Sequence, residues 1–393
     1  MMSLLYLFNP ENDLALAQGC ENYTPPPLVQ AIVHDLSTLP LWYASTGGVT
    51  CLPSTDYADS LLPLLAAVGT EGRVCPTDAL PTEVSACRPW GWSPDVVHRF
   101  KRWGIASELL PSADLLERQR AWAHRIRTRE ILSFLKEGGI DVPDEMPVAF
   151  REESAVRSWV EAQPRAMLKA PWSGSGRGIC RTFGYYDLYL SRWVQGILRQ
   201  QGTIIGEPYF EKEADMAMEF FSDGSRVTFA GYSWFTTDER CQYQGNALLS
   251  DSAIEQHFAG YCPLDTLHRV RSSLERFFTC SVAPLYSGYF GVDMLIYRRA
   301  DGFALHPCIE MNLRMNMGMV ARIFYDRYVS SESEGIYRVD YFPQADSLSA
   351  DHSVRQAANP LCISGGKIVS GYMSLTPILP TTRYRAYVEV RPK

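Results

Sequence analysis

The apolar run Leu4 to Phe8 ends at the turn cluster Asn9-Pro10-Glu11-Asn12-Asp13, and Leu14 to Leu16 open a second segment, which predicts a strand followed by a helix. Pro25 to Pro27, Gly47-Gly48 and the Pro/Trp-rich stretch Pro89 to Pro94 break up the first 115 or so residues, and their pattern leaves the topology of this α/β region open. From Asp114 the texture is helical, with Leu115, Leu116, Trp122, Ile126, Ile131, Leu132 and Leu135 running to a C-cap at Gly138-Gly139. Val156, Trp159 and Val160 signal another helix, followed by a short apolar strand, Ala166 to Pro171, interrupted by Lys169. Leu190, Trp193, Val194, Ile197 and Leu198 recur at helical spacing up to Gly202, and Thr203 to Ile205 is strand-like. Met216 to Phe221 and Arg226 to Ala230 read as strands joined across Asp223-Gly224, and Leu267, Val270, Leu274, Phe277 and Phe278 as a helix with Asp265 as its N-cap. Strands and helices in mixed order, with hairpins, predict α+β units and not a regular βαβ array. The expected division is 1–115, 116–205 and 206–393, the tail Ile363 to Val390 forming strands against the last unit.

A chain of 393 residues exceeds one ordinary core and fits two or three packed units. Hydrophobic residues at 46% and charged residues at 21% are globular values. The net charge is −7, and no basic stripe is present, so no phosphate-backbone footprint is offered and nucleic acid is not expected as a partner. Leu61 to Val68 is the longest apolar stretch, far short of a membrane span. The N-terminus lacks the basic leader of a signal peptide, and the ten cysteines show no CxxC pair or metal-ligand spacing. Reduced thiols in a cytoplasm are the expectation.

Three segments carry candidate chemistry. Lys169 precedes Ser173-Gly174-Ser175-Gly176-Arg177-Gly178, after which Ile179 to Phe183 is strand-like. A glycine loop admits backbone N–H groups close to phosphate oxygens, and a nearby lysine adds charge, although a Gly/Ser turn beside a solvated lysine has the same composition. The better-known phosphate loops open a helix, and kinases place the lysine after the loop; neither arrangement is present. Further on, Gly291-Val292-Asp293-Met294 and Cys308-Ile309-Glu310-Met311-Asn312 flank Asp301-Gly302. A hairpin centred there sets Asp293 opposite Glu310, with Asn312 on the same face, a set of oxygens suited to Mg2+. Unrelated surface acids are the competing reading, against which the apolar character of both strands counts; Pro307 invites a bulge. Between these segments Glu207-Pro208-Tyr209-Phe210 and Asp215 form a loop with acids.

In this order the three segments resemble the ATP-grasp superfamily. Met167 to Pro171 with its Gly/Ser loop, Ser173, Gly174, Ser175, Gly176, Arg177 and Gly178, is similar to that family's phosphate-covering segment, and Lys169 to its nucleotide lysine. Glu207, Tyr209 and Phe210 look like the interlobe hinge that meets adenine, and Asp215 like the ribose acid, with Glu213 as a rival. Asp293, Glu310 and Asn312 match the magnesium ligands, and Arg314 the arginine near the transferred phosphate. The resemblance spans residues from about 120 to 325 and implies an ATP-grasp fold of two α+β lobes preceded by an α/β pre-ATP-grasp domain. One departure is that the family's earlier nucleotide lysine has Arg127-Thr128-Arg129 in its place, Arg129 being the candidate contact.

What the resemblance implies is a carboxylate–amine ligase: ATP phosphorylates a carboxylate and an amine attacks the acyl phosphate, with Lys169 and Arg314 as catalytic groups. ATP, one or two Mg2+ ions, and a small-molecule carboxylate and amine are then the expected partners, with a homo-oligomer possible. An ATP-grasp phosphotransferase and a non-catalytic nucleotide-binding module are the alternatives. Asn9, Glu11, Asn12 and Asp13 are candidates for the acceptor side, and the loop Thr236 to Tyr243, with Arg240 and Gln242, for closing over the site.

Overall fold

A computed structural model describes residues 3–174, 176, 178–239 and 241–393. Three sheets organise it. β1 (Ser3–Leu7), β2 (Val49–Leu52), β3 (Val74–Pro76) and β4 (Val84–Pro89) form a parallel sheet in the order β3-β2-β1-β4. This settles the topology that the broken pattern of the first region leaves open. The strands are short because turns and brief helices, such as Asn12–Gln18 and Pro27–Asp35, follow each within a few residues.

β5 (Val148–Phe150), β6 (Ala166–Lys169), β7 (Ile179–Thr182) and β8 (Ile204–Pro208) make a small antiparallel sheet, order β5-β8-β6-β7. Its inner face packs on the helices Glu153–Glu161 and Leu188–Gln201 through Val156, Val160, Leu168, Leu190, Val194 and Ile204. The longer helix ends at Gly202 with φ 76°, a left-handed cap that a side chain at that position would strain.

The third sheet has nine strands: β9 (Lys212–Asp223), β10 (Val227–Thr237), β11 (Tyr243–Leu248), β12 (Ser287–Arg299), β13 (Gly302–Asn312), β14 (Ser333–Tyr341), β15 (Cys362–Ser364), β16 (Lys367–Ser374) and β17 (Tyr384–Pro392). Their order is β13-β12-β9-β10-β11-β14-β17-β16-β15. Two local expectations are corrected. The β9–β10 turn is centred on Gly224-Ser225 and not on Asp223-Gly224, because Asp223 Oδ1 accepts from the Ser225 and Arg226 N–H groups and Asp223 N–H bonds Arg226 O. The helix Leu264–Ser281 begins after Pro263, so Asp265 lies within its first turn, favourable to the helix dipole but not the cap.

The first region is not a free-standing bead. Its side chains Phe8, Leu36, Leu39, Trp42 and Leu65 share one core with Phe324 and Tyr328 of the helix Met317–Tyr328 and with Met373, Leu375, Ala386 and Val388 of the C-terminal strands. Trp42 is fully buried, donates from Nε1 to Leu375 O at 2.7 Å, and meets the rings of Phe324 and Tyr328 edge-on at 5.6 Å each. Trp42→Ala should therefore cost roughly 3–5 kcal/mol in urea unfolding and loosen both ends of the chain together. A loss below about 1 kcal/mol, or separate transitions for the two ends in the wild type, would contradict a shared core.

Candidate functional site

The site is built from the face of the nine-stranded sheet. Asp293 lies directly opposite Glu310, as the hairpin pattern predicts, but by a different route. The β12–β13 turn is centred on Ala300-Asp301, one residue before Asp301-Gly302, since Arg299 pairs with Gly302. A bulge between Asp293 and Leu295, across from the stretch after Pro307, then restores the pairing. On the next positions Gly291 stands between Asn312 on one side and Glu219 of β9 on the other. All four polar residues thus share one face, and Gly291 leaves room for them: a Cβ there would lie 2.5 Å from Glu219 Oε2 and from Asn316 Nδ2.

Acids packed this way repel one another and resist leaving water. Burial pushes Glu219, fully enclosed, up to about 8, against its bond from Asn316 Nδ2 at 2.7 Å. Burial, with the neighbouring charge of Glu310, pushes half-buried Asp293 up to about 7, although Asn312 Nδ2 donates to it at 3.0 Å. Two arginines answer the charge. Arg125, buried in the short turn before the helix Thr128–Glu137, binds both Glu310 oxygens through Nη2 at 2.8 and 2.9 Å. The same guanidinium donates to Ala170 O, Ser173 O and Ser173 Oγ, at 2.6 to 2.9 Å, and so fastens the root of the glycine loop to the carboxylates. Arg314 binds Asp13 with Nε and Nη2 and Asn312 Oδ1 with Nη2, linking the N-terminal region to the same face.

Lys169 ends β6 and is buried in an ion pair with Glu207 of β8. The loop beyond it closes at its base through Ala170 N–H to Gly178 O at 2.8 Å. Gly176 and Gly178 both have positive φ, and a Cβ on Gly176 would come within 2.2 Å of Cys241 O, so the loop lies against the β10–β11 connection. Gly174 approaches Asp13 and Arg314 in the same way. Ser175, Arg177 and Arg240 lie outside the described residues. Tyr209 stacks under Arg165 at 4.8 Å, and Phe210 meets Tyr297 edge-on at 4.8 Å. Asp215 accepts from Lys212 Nζ at 2.5 Å and Thr237 Oγ1 at 2.8 Å.

These parts enclose one cleft of about 1240 Å3. Lys169, Gly174, Gly176, Glu207, Tyr209 and Phe210 line one side of it, and Asp215, Asp293, Glu310, Asn312 and Arg314 the other. Ser173 and Gly178 do not line it. Glu213 does not line the cleft and pairs with Arg298 at 2.5 Å, whereas Asp215 does line it. Arg129 is exposed and outside the lining, and Arg127 pairs with Glu130; the arginine this segment presents is Arg125, which the pattern Arg127-Thr128-Arg129 does not suggest. Of the four early candidates, Asn9 bonds Gly91 O, Glu11 pairs with Arg99, and Asn12 packs on Gly91, all buried; only Asp13 reaches the cleft. Cys241 and Gln242 of the Thr236 to Tyr243 loop do line it. Glu219 and Asn316 are additional. The signal for Glu219 is an acid inside the apolar run Met216 to Phe221, the same signal that singles out Asp293 and Glu310.

Among the described residues no three His, Cys, Asp or Glu side chains are grouped to hold an ion unaided. Two carboxylates and an amide oxygen nevertheless fit Mg2+, which takes a few protein oxygens and completes its shell with water and phosphate. Among the described residues Asp293 forms no ion pair, and its burial points the same way.

The architecture is the ATP-grasp fold, with an N-terminal α/β region ahead of the two lobes. It is similar to biotin carboxylase from Campylobacter jejuni, solved as a β-γ-ATP complex: 13% identity, 99% of this chain and 87% of that one covered, TM-score 0.51. It is also similar to pyruvate carboxylase from Rhizobium etli, with 12% identity and a TM-score of 0.56, all of this chain covering 36% of that one. No protein-family model and no curated protein matches the sequence.

The raised acid sets a pH dependence. Between 4.5 and about 8 the folded protein keeps a proton on Glu219 that the unfolded chain has lost, so stability falls as pH rises through that window. In chelator, Glu219→Gln should flatten the fall and stabilise the protein near pH 8 by on the order of 1–3 kcal/mol. Parallel pH profiles for wild type and variant in urea unfolding would show that burial of this acid is not the cause.

Proposed function

We propose that the protein is an ATP-dependent carboxylate–amine ligase that holds Mg-ATP between the small sheet and the nine-stranded sheet. The observation that carries this reading is the placement of Lys169 and the glycine loop across one cleft from Asp293, Glu310 and Asn312, on a fold shared with biotin carboxylase. Adenine is assigned to the slot beside Tyr209 and Phe210, the ribose hydroxyls to Asp215, and the phosphates to Lys169 and the loop amides. Arg125 takes the place expected for Arg129. The units are the first region, the lobe carrying the glycine loop, and the lobe carrying the acids.

Bound Mg2+ supplies charge neutralisation to the phosphate oxygens at Asp293, Glu310 and Asn312. The chain's own groups position and stabilise: Lys169 and Arg314 hold the transferring phosphoryl group from two sides of the cleft. A substrate carboxylate oxygen attacks the γ-phosphorus, and the bond to ADP breaks. The amine nitrogen then attacks the acyl carbon, the carbon–oxygen bond to phosphate breaks, phosphate leaves, and the nitrogen gives up its proton. The seating of the glycine loop against Cys241 and Arg314 keeps water from the acyl phosphate.

Glu310→Gln should lower ATP-dependent ADP release at least a hundredfold while circular dichroism stays native, since one carboxylate of the pair is lost. Lys169→Ala should weaken nucleotide affinity by tenfold or more, about 1.4 kcal/mol or greater. Turnover within threefold of wild type in Glu310→Gln would sink the metal assignment.

A further inference from the structure

Two apolar surfaces stand outside the cleft, and neither lines it. Four large side chains, Phe183, Tyr185, Leu188 and Tyr189, fall within seven residues where β7 leads into the helix Leu188–Gln201, and they are 56% to 73% exposed. Seven residues reach at most about 24 Å, so the four share one neighbourhood. They expose on the order of 500 Å2, a size at which a surface patch on a monomer is often functional. The second surface is the helix Leu62–Ala67, part of the longest apolar stretch in the chain. Leu61, Leu65 and Val68 turn inward and are buried, whereas Leu62, Pro63, Ala66 and Ala67 are exposed. The solvent side of this helix therefore carries no polar side chain.

The two surfaces carry opposite charge. Residues 151–200 hold eight Lys and Arg against four Asp and Glu, net +4, in a chain of net −7. Arg181 precedes the aromatic run and Arg192 follows Tyr189 by three residues on the helix; both are exposed. The acid within the run, Asp187, caps the helix by accepting from Leu190 N–H at 2.8 Å. Residues 1–90 hold two Lys and Arg against nine Asp and Glu, net −7. Asp56, Asp59 and Glu71 are exposed next to the apolar helix, and a Cβ on Gly72 would lie 2.9 Å from Leu62 Cδ2, which sets Glu71 beside it. The nearby cation, Arg73, donates to Gly47 O at 3.0 Å. Charges are screened beyond about 8 Å, so these local balances, and not the net charge, govern what each surface attracts.

We propose that the two surfaces bind each other between copies of this chain. The aromatic run of one copy seats on the apolar helix of the next, with Arg181 and Arg192 facing Asp56, Asp59 and Glu71. Pairing like surfaces would set arginine against arginine, or acid against acid. The contact is head-to-tail, so each end copy keeps one unused surface unless a ring closes.

Sedimentation velocity of the full chain from about 1 to 200 μM tests this, the range in which so small a contact associates. The weight-average mass should rise with concentration above the 44.3 kDa of one chain, and about 0.5 M salt should weaken the association at least tenfold. Two double variants at exposed positions separate the surfaces: Leu188→Asp with Tyr189→Asp removes the aromatic one, and Asp59→Lys with Ala66→Lys removes the acidic one. Each should sediment as a monomer alone. Mixed in equal amounts they should form a dimer and nothing larger, because each retains the surface the other lacks, and recovery on mixing also shows that both fold. A wild type that stays monomeric throughout, either variant associating as the wild type does, or a mixture that stays monomeric or grows past a dimer overturns the proposal.

Discussion

Crowding of carboxylates on one buried sheet face is the constraint around which the rest of the molecule is arranged. Asp293, Glu310 and Glu219 cannot all be charged in a half-enclosed site without counter-charge. Arg125 is brought to Glu310 from the helical segment of the small lobe, and in the same contacts it fixes Ala170 and Ser173. Arg314 is held to Asp13 of the first region. Each neutralising contact therefore also docks a different part of the chain, so the electrostatics of the acids and the geometry of the cleft are one problem with one solution.

Hydrophobic burial makes the other connection. Trp42 and its neighbours lie in a core that belongs as much to β16 and β17 as to the first hundred residues. The helix Pro27–Asp35, which presents Leu28 and Ile32 to the cleft, is thereby fixed against Arg383 and Tyr384, whose N–H groups both donate to Asp35 Oδ2.

Much of this was legible in the hydrophobic pattern, for reasons that are local. The strand before Lys169, the left-handed stop at Gly202, and the acids interrupting β12 and β13 each have a signal within a few residues. The pairing of Asp293 with Glu310 shows the limit: the turn sits one residue earlier than Asp301-Gly302 suggests, and a bulge compensates. Arg125 could not be separated from Arg127 and Arg129 by pattern, because which arginine turns inward is decided by a short helical turn and by a partner 185 residues away. The parallel order of the first sheet and its shared core depend on contacts across the whole chain, which no local periodicity encodes.

The nucleotide site proposed between the acid-lined face and the Lys169 loop is metal-dependent. Isothermal titration of the purified chain with ATP, in excess Mg2+ and again in chelator, tests it most directly. One site per chain with submillimolar affinity in Mg2+ is expected, and at least tenfold weaker binding, about 1.4 kcal/mol, once the metal is removed. No binding at millimolar ATP, or binding indifferent to Mg2+, would contradict it.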